Sequence, residues 1–350
     1  MSRFLRIAAL PVAHGDAIWI EYGDSARTRR VLIDGGPAHT YPALRNTFLA
    51  LPEEQRHLDL LIVTHVDNDH IDGAIRLLLD EAVGATFRDV WLNGWAQLQQ
   101  ADDELGPKQG EFFAALLDRA KIQVNDDFGG RPIFVPAQGP LPEFRLPDDG
   151  PVFTLLSPEL AQLERLAKEW DCVVRGEGYE PGDVDEALER LAKRREYAAP
   201  LSDELGDEPL GGDKAIANGS SIAMLLEYEG RSILLAADAF PSVLARSLGR
   251  LAEQRGREVI PVDLFKVSHH GSRGNVSEEL LASVACRHFL VSTNGARFGH
   301  PDADAIDFLI QRTQEPELWF NHRCETTERW AREDPRYTSV FTNGGSREVG

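Results

Sequence analysis

Cysteine is scarce in this chain: three occur, Cys172, Cys286 and Cys324, far apart and in no paired spacing. That excludes a disulfide framework and fits a reducing compartment. Long apolar runs are missing too. No window approaches the roughly 20 residues a membrane-spanning helix needs. The apolar stretch in MSRFLRIAALPVAHGDA is too short and interrupted for a secretory signal. The expectation is a cytoplasmic protein with no membrane segment. Basic residues are outnumbered, 37 Lys and Arg against 57 Asp and Glu, for a net charge of −20. Such a surface repels polyanions at long range, which argues against non-specific coating of nucleic acid and leaves room only for a local basic cleft. No repeat of solenoid length is visible.

With 350 residues the chain can bury a large core, and its composition is that of a globular protein. One stretch organises it, LLIVTHVDNDHIDG from Leu60 to Gly73. Leu60, Leu61, Ile62 and Val63 read as a buried strand, while Ile71, Ala74, Ile75, Leu78 and Leu79 recur at helical spacing. Between them stand His65, Asp67, Asn68, Asp69 and His70. Asp69 alone would be a helix cap, and His65 alone a satisfied histidine at a strand end. Together they are a set of nitrogen and oxygen ligands delivered by one turn, which points to bound cations.

Upstream, short strands are predicted over Phe4 to Leu10, Asp16 to Tyr22 and Arg30 to Ile33, broken by Asp34-Gly35-Gly36-Pro37. From about residue 95 to 215 the chain changes character. Amphipathic helices are expected over Glu111 to Lys121, Leu160 to Trp170 and Val184 to Ala198, between proline and glycine clusters. This span reads as a helical or irregular insertion, a lid or a protein-partner surface, with its stretch 202–213 poorly ordered. Strand and helix patterns then resume, and three strand ends carry Asp238, His269-His270 and Gly299-His300-Pro301.

THVDNDHIDG resembles the first metal motif of the metallo-β-lactamase-fold hydrolases, His-x-His-x-Asp-His, with Asp67 in place of the second histidine as in ComEC-like hydrolase domains. GDAIWIEYGD with VLIDGG, ILLAADAF, FKVSHHGS and FGHP are similar to further motifs of that group, in order and approximate spacing. The resemblance implies one α+β domain over residues 1–350, an αββα sandwich with the insertion at 95–215; the lack of long apolar windows separates the chain from full-length ComEC, whose architecture includes a membrane channel. The resemblance also implies two divalent metal ions. His65 and Asp67 would hold one and Asp69 and His70 the other, with Asp238 bridging and His300 completing the second site. Asp34 would support the metal loop, or simply start a glycine-rich turn. His269 or His270 is either a further ligand or a general acid, and both assignments stay open. The histidine that most of the fold places between the first motif and the bridging aspartate is absent. Asn218 would take its place, or is a turn asparagine.

Three aspartates among the ligands make a harder site than a histidine-only one, which favours Mn²⁺ over Zn²⁺. The expected function is a metal-dependent hydrolase, a phosphodiesterase or nuclease that activates water between the cations, with Lys266, Ser272 and Arg273 contacting phosphate. Hydrolysis of a small ester, lactone or thioester is the alternative reaction. A metal-bearing regulatory or effector module of a multi-component defence system is the alternative class.

Overall fold

Alternation along the first strands decides which way each residue faces. The structure, a computed structural model, describes residues 2–99, 108–197 and 214–350. The acidic stretch 202–213 expected to be poorly ordered therefore lies outside the described residues. β1 (Phe4–Ala9), β2 (Ile18–Gly23) and β3 (Thr28–Ile33) form an antiparallel meander in which Ile18 stands opposite both Ala9 and Ile33. Leu5, Ile7, Ile20, Val31 and Ile33 enter one core, and Ala8, Trp19 and Leu32 enter another on the opposite face. After α1 (Tyr41–Leu49) and the short β4 (His57–Leu58), β5 (Leu60–Ile62) extends the sheet parallel to β3. α2 (Asn68–Leu79) follows; β6 (Thr86–Phe87) pairs with β4, and β7 (Val90–Trp91) lies parallel to β5. With β18 (Arg347–Glu348) on the far edge, the order is β18-β1-β2-β3-β5-β7.

The second sheet runs β17-β16-β15-β13-β11-β10-β9-β8. A hairpin of β10 (Ala223–Tyr228) and β11 (Arg231–Leu235) opens its later half. β13 (Leu264–Lys266), β15 (His288–Val291), β16 (Glu317–Phe320) and β17 (Thr338–Phe341) then add in parallel. Parallel neighbours need crossovers. α8 (Pro241–Gln254), α9 (Glu278–Ala282) and α10 (Ala303–Arg312) supply the first three, with a small outlying pair of β12 (Ile260–Pro261) and β14 (Val284–Ala285), and a 3₁₀ turn over Glu328–Trp330 lies in the fourth. β13, β15 and β16, buried along nearly all their length, are short apolar runs without alternation, while β17 is a partly exposed edge strand.

One core joins Ile20 and Ile62 of the first sheet to Leu226, Ile233 and Phe289 of the second, and continues to Leu248 and Leu309 of the outer helices. The other core joins Leu32 and Leu61 to Phe48, Ile75 and Phe113. Helix, sheet, sheet and helix thus succeed one another, the αββα layering expected.

Within 95–215 the helices are α3 (Trp95–Leu98), α4 (Lys108–Ala120), α5 (Leu160–Gly176), α6 (Val184–Ala192) and α7 (Lys214–Gly219). The same span also holds β8 (Glu143–Arg145) and β9 (Val152–Ser157), and β9 pairs with β10. Part of the expected insertion is therefore built into the second sheet. β8 is only three residues long, and β9, buried along nearly all its length, shows no alternation to read. α6 stops at Ala192, short of the predicted Ala198, and a 3₁₀ turn over Arg195–Tyr197 docks on α2. There Tyr197 Oη donates to Asp72 Oδ1 at 2.5 Å, and Arg76 Nη1 donates to the Glu196 carbonyl at 2.8 Å.

Candidate metal centre

β5 ends one turn before α2, and that turn carries the first ligand group. Asp67 takes the N-cap position in extended conformation but makes no capping bond through its side chain. Its Oδ2 lies 3.7 Å from His65 Nε2. Asp69 and His70 fall in the first turn of α2, and both are buried. The end of β3 packs beneath them. Asp34 sits in the left-handed region at φ 61°, and the following Gly35 N donates to the His70 carbonyl at 2.7 Å. A Cβ on Gly73 would stand 1.9 Å from the Gly35 oxygen, so glycine at this contact is what lets α2 close over the Asp34 turn.

The histidines share one feature. Asp34 takes Thr64 N and Oγ1 at 2.8 and 2.7 Å, and His70 Nδ1 lies 2.8 Å from its Oδ2. Because the Thr64 hydroxyl donates to Asp34, it accepts from His65 Nδ1 at 3.0 Å. His270 Nδ1 donates to the Ser292 carbonyl at 2.8 Å, and His269 Nδ1 meets Asn275 Oδ1 at 3.1 Å. His300 Nδ1 meets Asp302 Oδ1 at 3.0 Å. Every one of these rings is held through Nδ1, leaving Nε2 as the ligand atom, the arrangement typical of metal-binding histidines. The Nε2 atoms of His65, His70 and His270 are buried without a hydrogen-bond partner, as are Asp238 Oδ1 and Asp16 Oδ1. Buried polar atoms rarely go unpaired, and a lone-pair cluster of this kind matches a cation.

Asp238 is the hub. Its Oδ2 lies 3.6 Å from His70 Nε2, 3.7 Å from His269 Nε2 and 3.9 Å from His270 Nε2. Ala237 before it, and His269 and His270 opposite, all have positive φ, at 46°, 47° and 54°. His269 N donates to the Ala237 carbonyl at 2.9 Å, locking these two strained turns together. Burial alone would raise the Asp238 carboxyl. His70, His270 and His269 overcome that and hold it well below the ordinary carboxylate range. Burial lowers the His70 imidazole, but Asp238 and Asp34 outweigh it and raise His70 well above its usual value. His270 goes the other way, pushed by burial to about 4 against the pull of Asp16 and Asp238.

Asp16 is the residue sequence reasoning missed. Asp16, His70, Asp238 and His270 each offer a ligand atom within 4.8 Å of the others. Asp16 N donates to the Asp69 carbonyl at 3.1 Å, and a Cβ on Gly15 would lie 1.9 Å from that same oxygen. Its Oδ2 is engaged by Lys266 Nζ, so Lys266, 1% exposed, is not available to phosphate as expected. Burial raises the Asp16 carboxyl, and Lys266 with His270 reverses this and leaves it lowered. The HGDA sequence held the signal, since a Gly-Asp step after a strand break reads as a turn placing a carboxylate.

The other expected residues lie as follows. His65 is 4.1 Å ring to ring from His70, and Asp69 Oδ2 is 4.0 Å from His270 Nε2. His300 stands one ring further out, 5.6 Å from His269. Asn218 is buried in α7, and Ile222 N, just beyond it, donates to the Thr64 carbonyl at 2.9 Å beside the first ligand loop. Arg273 is exposed, its backbone N donating to Asp302 Oδ2 at 2.8 Å.

No family model matches the chain. Over 108 residues, 30% of its length, it is 31% identical to ComE operon protein 3 of Bacillus subtilis (strain 168), and the match spans 13% of that protein. Solved structures similar to it include the metallo-β-lactamase fold protein YhfI from Bacillus subtilis, at 12% identity, TM-score 0.42, covering 99% of this chain and 100% of that one. The short form of human tRNase Z is another, at 11% identity, TM-score 0.40 and full coverage of both chains. CmlA, a diiron β-hydroxylase from Streptomyces venezuelae, is a third, at 15% identity and TM-score 0.43 over 99% of this chain and 54% of that one. No helix among the described residues is long and apolar enough to cross a membrane.

Proposed function

We propose that the chain is a metal-dependent hydrolase of phosphodiesters. The observation that carries this reading is the shared orientation of His65, His70, His269, His270 and His300, each held at Nδ1 with Nε2 left over. Divalent cations bound there would act as Lewis acids on a phosphoryl oxygen and lower the pKa of water.

The chain's own residues do the rest. His65 with Asp67 and His70 with Asp69 would hold the cations, with Asp238 contributing to both halves and Asp16 added beside His270. Asp34 and Ser292 keep His70 and His270 in the ligand tautomer. His270, with its side chain 1% exposed, is the ligand of the pair. His269, 28% exposed and with Asn275 on its Nδ1, would act as an imidazolium and give its Nε2 proton to the leaving oxygen. His300, steadied by Asp302, stands one ring behind His269, and Asn218 would stand in for the missing histidine. Four aspartates among the donors favour Mn²⁺ ahead of Zn²⁺. The resemblance to ComEC-like hydrolase domains supports nucleic acid as the substrate.

The test is metal-stripped full-length protein assayed with bis(p-nitrophenyl) phosphate, single-stranded DNA and a lactone panel. Mn²⁺ is expected to restore cleavage of the diesters. Cleavage of lactones alone would overturn the substrate assignment, and recovery with Zn²⁺ alone would overturn the metal.

A further inference from the structure

Exposed aromatic surface is unusual in this protein. Among the described residues the large apolar side chains left exposed are Leu49, Val259 and Phe298, and Phe298 is 41% exposed. Its ring lies 6.2 Å from His300 and meets His14 edge-on at 5.7 Å. From His300 the rings run inward without a gap, to His269 at 5.6 Å, then His270 at 6.0 Å and His70 at 5.4 Å. A file of rings thus joins solvent to Asp238.

The loop that holds Phe298 out is tied down on both sides. Asn294 N donates to the Ala13 carbonyl at 2.8 Å, and Thr326 Oγ1 donates to the His300 carbonyl at 3.0 Å. The Arg297 guanidinium stands 5.3 Å from the Phe298 centroid. In a chain of net charge −20, a cation and an exposed ring together at the mouth of a metal centre form a distinct local chemistry. It suits a ligand that is flat and aromatic at one end and anionic at the other.

On the basis of the phosphodiester reading above, we propose that Phe298, flanked by Arg297 and His14, is a stacking subsite for a nucleobase of the substrate. The diester cleaved is then one that carries a base beside the scissile phosphate. Every base has a π-face, so such a platform selects for the presence of a base without reading its identity. Arg297 adds charge-assisted contact to a neighbouring phosphate.

The experiment compares a dinucleoside phosphorothioate with the same backbone lacking both bases, bound to the metal-loaded full-length chain and followed by calorimetry. Wild type is expected to bind the base-bearing ligand about tenfold more tightly. Phe298→Ala should erase that preference and Phe298→Trp should keep it. Phe298→Leu, apolar but without a π-face, should behave as the alanine variant. Equal binding of the two ligands by wild type, or a preference that survives in Phe298→Ala, would overturn the subsite. Hydrolysis is read separately with the parent diesters. If neither is cut while the base preference stands, the hydrolase reading falls and the subsite does not.

Discussion

The Lys266 ammonium and the Asp16 carboxylate, 250 residues apart in the chain, form an ion pair in the interior, each side chain 2% exposed. It joins the loop before β2 to the end of β13, and so fastens the first sheet to the second beside the candidate metal centre.

Breaking one side of a buried pair strands the other charge. Lys266→Met and Asp16→Asn should each cost about 3–5 kcal/mol. The double variant should cost clearly less than the sum. Urea unfolding of the metal-free protein measures all three, and strictly additive losses would show that the two groups do not depend on each other.

Asp34 holds His70 through Nδ1, the ring nitrogen opposite the candidate ligand atom. Asp34→Asn keeps the size and replaces the charge, so metal affinity should fall about 10–100-fold. Competition against a chelator of known affinity reports it. Unchanged affinity would remove Asp34 from the support of the site.

Alanine normally improves on glycine inside a helix by about 1 kcal/mol. At Gly73 the sign should reverse, because the added Cβ would meet the Gly35 oxygen at 1.9 Å. Gly73→Ala is expected to lose about 1–3 kcal/mol as an overpacking change. Metal affinity should drop with it as the Asp34 turn moves away from α2. A melting temperature equal to or above wild type would contradict the contact.

In the metal-free protein His270 titrates at about 4, against roughly 6.5 in the unfolded chain. Between those values the unfolded state holds one more proton, so His270 contributes stability above pH 6.5 that is lost as pH falls toward 4. The slope from one proton is about 1.4 kcal/mol per pH unit. Glu111 and Asp89, whose carboxyls burial raises, act in the opposite direction over part of this range. They contribute equally to wild type and to His270→Gln, so the difference in slope between the two isolates the histidine. Parallel pH profiles from denaturation in a chelator would refute the assignment.

His70 works on the other side of neutrality. Raised in the absence of metal, it is charged in the folded chain above pH 6.5, where the free imidazole is neutral. A cation at Nε2 must displace that proton, so uptake near pH 7 should release a proton from His70. Calorimetry in two buffers of different ionisation enthalpy gives the number directly. Heats that do not depend on the buffer would count against His70 as a ligand.

Much of the candidate site was legible because its candidate ligands come in runs. His65 to His70 and His269-His270 each crowd several donors into one turn, and Asp238 ends an apolar strand, so short-range pattern located them. Asp16 stands alone in its loop, and its meaning depends on Lys266, which no local window contains. The same limit applies to β9, whose place in the second sheet is set by its pairing with β10. His300 was legible as a histidine at a strand-to-helix turn, but its distance from Asp238, one ring behind His269, is a tertiary fact. The layering of two sheets between helices was implied by the resemblance, and the two cores on opposite faces of β1 to β3 bear it out.

The imidazoles gathered around Asp238 come from two distant parts of the polypeptide, His65 and His70 early and His269, His270 and His300 late. During synthesis the early pair leaves the ribosome long before its counterparts exist. Under the proposed assignment, loading would have to await both groups of histidines, and occupancy would serve as a readout that the two halves have met.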